Sequence, residues 1–167
     1  LAEHAASGNL VYHGFVGHLL LDSVPSVLRV RLIAPLHMRV QAVVERQGLD
    51  RDAAEAYIRK VDEDRFRWTK MIYGVDLREP NLYDLVINLE FMSVKSACST
   101  VVEAARQPEF IVTQKTLSRL ADFGLECRVR LALATHPTGR GLELSVSATN
   151  GILVVSGDNF TLRGLSL

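Results

Sequence analysis

The stretch that most limits the fold runs from Val27 to Pro35, Val-Leu-Arg-Val-Arg-Leu-Ile-Ala-Pro, and passes directly into a helix-patterned run from Leu36 to Gln47. Aliphatic and β-branched residues that end at Ala34-Pro35 and turn straight into a helix predict a buried, central parallel strand with its crossover. Ligands of open α/β sheets sit beyond the carboxyl ends of the strands. A site is therefore expected near Ala34, Pro35 and the first turn of the next helix. In that helix Leu36, Val40, Val43 and Val44 share one face, and Arg39 stands on its flank, one turn from the strand end.

Capping signals carry the pattern onward. Gly48 closes the first helix, Leu49 is placed to staple, and Asp50 is a good N-cap for a second helix from Arg51 to roughly Tyr73. Ala54, Ile58, Val61, Trp68 and Ile72 form its expected buried stripe. Its other face is crowded with Arg59, Lys60, Asp62, Glu63, Asp64, Arg65 and Arg67. Spacing leaves two readings open there. One is a solvated face laced with pairs such as Asp62 with Arg65 and Glu63 with Arg67, each worth about 0.2 to 0.5 kcal/mol. The other is that Arg59 and Arg65, with Arg39, converge on a phosphate, whose oxygens match the planar guanidinium fork.

Before the strand, Leu1 to Ser7 reads as the end of a helix closed by Gly8-Asn9, and Leu10 to Tyr12 as a short strand. His13 to His18 is then a loop whose Gly14 and Gly17 either bring backbone N–H groups toward a phosphate or form an ordinary tight turn. His13 and His18 are expected to be surface or hydrogen-bonded residues, since no third ligand stands at metal spacing. After Gly74, Tyr83 to Asn88 is a second buried strand, and Ser93 caps a helix to about Arg106 with Val94, Ala97, Val101 and Val102 inward.

Gln107 to Thr113 is the expected linker, dividing an α/β domain over 1–109 from an α+β unit over 110–167. In the second unit, short helices Lys115 to Phe123 and Leu125 to Ala134 flank Gly124, and a Pro/Gly loop spans His136 to Gly141. Leu142, Leu144 and Val146 then alternate, Asn150-Gly151 gives a hairpin turn, and Ile152 to Val155 returns as a strand.

Composition narrows the function classes. Lys plus Arg and Asp plus Glu number 19 each, so no general electrostatic attraction draws the chain to nucleic acid or anionic membrane. Cys98 and Cys127 lack any ligand spacing and read as small core residues of a reducing compartment, with no metal site. No apolar run approaches the roughly 20 residues of a membrane span. The cytoplasm is the expected location.

With those residues assembled, Leu1 to about Arg106 resembles the cytidylate kinase-like family of nucleoside monophosphate kinases. The resemblance rests on Gly8-Asn9-Leu10-Val11 leading to Gly14, on Val30 to Pro35 with Arg39, on Gly48-Leu49, on Asp62-x-x-Arg65, and on Tyr83 to Asn88. It implies a P-loop kinase-like parallel sheet with crossover helices. It also implies transfer of a phosphoryl group from ATP, with Mg²⁺, to a pyrimidine nucleoside monophosphate such as CMP. By the same resemblance Arg39 approaches the phosphates from the lid side, Gly14, Asp62 and Arg65 address the monophosphate, Arg65 through its phosphate, and Tyr83 to Asn88 lies near the donor base. Arg39 and Arg65 are thus the implied catalytic residues.

Two departures qualify what is implied. No G-x-x-x-x-G-K-[ST] phosphate cradle occurs in the 167 residues, so the fold is expected to be incomplete, with that part upstream of Leu1 and with it the ATP and Mg²⁺ site. The family usually has Arg directly after the glycine that aligns with Gly14, and here Phe15 stands there. The isolated chain is accordingly expected to be inactive in phosphoryl transfer, or else a non-catalytic kinase fold that binds a nucleotide or partner. Residues 125–157 also resemble the first part of a BON domain, through Arg128 to Ala134, Leu144 to Val146 and Gly151 to Gly157. That resemblance implies a small ligand-binding module. An incomplete sheet exposes an edge, so a homodimer through that edge is expected.

Overall fold

The structure, a computed structural model, describes residues 4–5, 8–21, 24–137 and 143–157. They fall into two compact units. The first lies within His13–Asp22 and Val27–Ile111, the second within Leu1–Tyr12, Ser23–Ser26 and Val112–Leu167.

The first unit begins with a single helical turn, α1 (Gly17–Leu20), and then the strand β1 (Val30–Ile33). Pro35, with φ of −54°, ends the strand and sets the entry into α2 (Leu36–Gln47). Gly48 adopts φ of +68° and returns its N–H to the Val44 carbonyl at 2.9 Å, which stops the helix. The Asp50 side chain then accepts from the Ala53 N–H at 2.9 Å and starts α3 (Arg51–Tyr73). Across this tight reversal Val40, Ala54 and Ile58 form a buried cluster, with Leu36, Val43, Val44 and Leu49 packed against it. Leu49 immediately precedes the N-cap, so its packing fixes the angle at which the chain enters α3. The helical hairpin is therefore built as its caps and apolar spacing predict.

The sheet is smaller than expected. β1 pairs in parallel with β2 (Leu85–Asn88), with Val30 opposite Leu85 and Ile33 opposite Asn88, and the described residues add no third strand. The parallel pairing and crossover hold, while the central, buried position does not. Ile87 is buried, yet Leu32 is 57% exposed and Val86 40% exposed. The strand is also shorter than Val27 to Pro35, and Tyr83 and Asp84 precede β2 rather than belong to it. Instead Asp84 locks the strand entries together, accepting from the Arg29 backbone N–H at 2.8 Å and from its guanidinium Nε and Nη2 at 3.0 and 2.7 Å. The Arg29 guanidinium holds the Asp84 carboxyl below its usual range against the opposing effect of partial burial.

Other expectations give way at particular residues. Leu10 to Tyr12 is exposed and not a strand. His4 and Ala5 are helical, and the remainder of the helix expected over 1–7 lies outside the described residues, as do Leu142 and part of the loop after His136. The second half of α3 buries Thr69 rather than Trp68 or Ile72, because its hydroxyl returns to the Arg65 carbonyl at 2.8 Å and needs no other partner. In α4 (Val94–Ala105), capped by Ser93, only Ala97 is buried, and Val94 and Val102 face solvent. Cys98 and Cys127 are exposed free thiols rather than core residues.

The second unit is a helix and a hairpin. α5 (Gln114–Thr135) starts at a Thr113–Thr116 capping box and runs unbroken through Gly124, where two helices are predicted. β3 (Leu144–Thr149) and β4 (Ile152–Gly157) pair antiparallel, and Asn150 and Gly151, with φ of +52° and +77°, make the two-residue turn. Asp122 accepts the Asn150 and Gly151 N–H groups at 2.9 and 2.8 Å, and Glu126 accepts that of Ala148 at 2.9 Å. Arg130 donates to the Val146 carbonyl at 2.6 Å. One turn apart, the two carboxylates pin the turn and the outer edge of β3 to the helix.

Candidate functional site

The residues that the sequence singles out come from three segments of the first unit: the loop over 13–16, the first turn of α2 and the middle of α3. Arg39 reaches Asp62 and donates through both terminal nitrogens, at 2.8 and 2.7 Å. This bidentate pair replaces the expected Asp62–Arg65 pair, and Asp62 keeps the Arg39 guanidinium firmly protonated. Glu63 with Arg67 forms as expected, and Arg59 turns back to Glu55 at 2.7 Å, away from Arg39. Arg59 is therefore not brought to the cluster.

Arg65 is different from its neighbours on α3. Among the described residues it pairs with no carboxylate. Its guanidinium lies over the Phe15 ring, with Cζ 5.4 Å from the centroid. Phe15 in turn meets Trp68 edge to face at 5.6 Å, and Trp68 meets Tyr73 at 5.7 Å. Gly14 adjoins Phe15 and so enters the same loop that touches α3. Asp62 and Arg65 stand three residues apart on α3 and share a face. Two contacting pairs result, Arg39 with Asp62 and Arg65 with Phe15, and the face shared by Asp62 and Arg65 on α3 sets them side by side.

The aromatic support of Arg65 is the part that sequence reasoning misses. Trp68 has the spacing of a core residue, yet it is 39% exposed and its ring extends the Phe15 surface. The available signal was the interval of three residues from Arg65 to Trp68, which puts cation and ring on one helical face.

His13 is exposed, as expected. His18 is half-buried, stacked at a tilt on Tyr83 at 4.8 Å, and its Nε2 is buried without a partner among the described residues. Burial, reinforced by Arg29, lowers its pKa and keeps the ring neutral. The Tyr83 hydroxyl donates to the Leu77 carbonyl at 2.9 Å.

The cluster offers a phosphate-matched fork at Arg65, a second fork at Arg39 already shared with a carboxylate, and an acceptor at Asp62. A phosphate at Arg39 would have to compete with Asp62. The described residues contain no group of three His, Cys, Asp or Glu side chains placed to hold a metal ion. No G-x-x-x-x-G-K-[ST] phosphate cradle occurs in the 167 residues.

A family model for the cytidylate kinase-like family matches residues 1–90. The chain belongs to the cytidylate kinase-like family. A cytidylate kinase of Staphylothermus marinus is 32% identical over 104 residues, covering 60% of this chain and 56% of the relative. A cytidylate kinase of Methanopyrus kandleri is 32% identical over 114 residues, covering 64% and 58%. The chain thus spans little more than half the length of these relatives. The crystal structure of an uncharacterized protein from Eubacterium ventriosum superposes with a TM-score of 0.50 at 18% identity, over 53% of this chain and 49% of that one. That likeness concerns the fold alone. Among the described residues no helix is long and apolar enough to cross a membrane.

Proposed function

We propose that the first unit is the acceptor side of a nucleoside monophosphate kinase fold and binds a CMP-like pyrimidine monophosphate. Family membership supports a kinase-like role, and one observation carries the finer reading. Arg65 keeps its guanidinium clear of carboxylates, on the same helical face as the Arg39–Asp62 pair. In this reading Arg65 takes the phosphate of the nucleotide, Asp62 accepts a hydrogen bond from the nucleoside, and Arg39 is held by Asp62 until a phosphate competes for it. Gly14 lends its backbone beside Phe15. Phosphoryl transfer belongs to the family and uses ATP and Mg²⁺, and no step of it is assigned to residues of this chain.

A second reading, a nucleotide-binding module without transfer, is favoured by Phe15, because a phenyl ring offers a phosphate no hydrogen bond. Residues 110–167 form, in this proposal, a BON-like α+β ligand module distinct from the kinase-like domain over 1–109.

Calorimetric titration with CMP tests the acceptor site. The unaltered chain binds, and Arg65→Ala weakens binding about tenfold or more, the loss of a charge-assisted hydrogen bond. Unchanged affinity in Arg65→Ala would overturn the assignment.

A further inference from the structure

The Phe15 ring lies against the Arg65 guanidinium. We propose that Phe15 is a positioning residue for phosphate recognition, holding the Arg65 guanidinium by a cation–π contact in place of donating to the phosphate itself. The inference rests on the reading of Arg65 as the phosphate ligand and goes beyond it in giving Phe15 a task.

Three observations carry it. Arg65 Cζ sits 5.4 Å from the Phe15 centroid, within the approximately 6 Å over which a ring quadrupole attracts a guanidinium. Trp68 meets Phe15 edge to face at 5.6 Å, so the ring is itself braced from α3, one turn beyond Arg65. Phe15 is also 38% exposed, a poor position for a residue whose task is core packing. A ring offers the guanidinium an electrostatic contact without taking up any of its N–H donors on an acceptor atom, so those donors stay available to a phosphate. Holding a long side chain in place before binding removes rotamer entropy that would otherwise oppose it.

The test is a double-mutant cycle read by CMP affinity, with Phe15→Leu, Phe15→Trp, Arg65→Ala and the Phe15→Leu/Arg65→Ala pair. Phe15→Leu is expected to weaken CMP about two- to fivefold, the span of an exposed cation–π contact. Phe15→Trp, which keeps an aromatic face, is expected to retain affinity, and Phe15→Leu is expected to add nothing once Arg65 is Ala. The proposal is overturned if Phe15→Leu binds CMP as the unaltered chain does while Arg65→Ala does not. It is equally overturned if the Leu and Trp variants lose affinity alike, or if the Phe15→Leu loss persists without Arg65. Undiminished CMP binding by Arg65→Ala removes the underlying reading of Arg65, an outcome distinct from the others.

Discussion

Glu126 shows how much one side chain decides in the second unit. It is buried on α5, and burial by itself would raise its pKa. The Ala148 N–H, Arg119 and Arg130 outweigh that and hold it below the usual carboxylate value. A carboxylate with a depressed folded pKa contributes stability that is present above the unfolded value, about 4.3, and is lost as pH falls through the folded value. Glu126→Gln is therefore expected to be about 1.5 to 3 kcal/mol less stable at pH 7, with the gap narrowing as pH falls below about 4.3. Urea unfolding at pH 7 and pH 3 reads this, and a gap independent of pH would contradict it. Arg130, four residues on along the expected helix, was a legible partner, whereas Ala148 was not, because Glu126 meets it only once the chain has reversed at Asn150-Gly151. The same holds for Arg39 with Asp62, whose sequence separation hides a contact that the α2–α3 reversal creates.

Elements are legible where local chemistry sets them. Gly48, Asp50, Gly74 and Ser93 fix the ends of α2, α3 and α4 through positive φ or side-chain caps, and the ranges expected for these helices agree with those found. Strand burial was not legible, since it depends on what covers each face, and Leu32 reads as core in any aliphatic run. Gly124 misleads for another reason. A glycine inside a helix costs about 0.5 to 1 kcal/mol relative to Ala, which favours a break, yet Asp122 and Glu126 on either side are both bound to the hairpin and hold the helix through it. A Cβ at Gly124 would meet Arg128 Nη1 at 3.7 Å, an ordinary contact. Gly124→Ala should thus raise the unfolding free energy by about 0.5 to 1 kcal/mol in urea titration. A loss of stability would mean that the glycine is required there.

At the scale of the whole molecule, charge is balanced and the ion pairs are mostly exposed, so they contribute little to stability and leave recognition to local groups. Apolar residues on the two-stranded sheet remain uncovered among the described residues, Leu32 and Val86 foremost. We propose separately that two copies associate through the outer backbone edge of this sheet, since the described residues add no third strand to cover it. Sedimentation equilibrium should then show a dimer that Leu32→Lys weakens, and a monomer at every concentration would refute it. Whether Arg65 takes the phosphate is read from the nitrogen chemical shift of its guanidinium Nε during CMP addition. With Arg65 on the phosphate, its Nε signal moves with CMP occupancy and stays in place with cytidine. A signal unmoved by saturating CMP would contradict it.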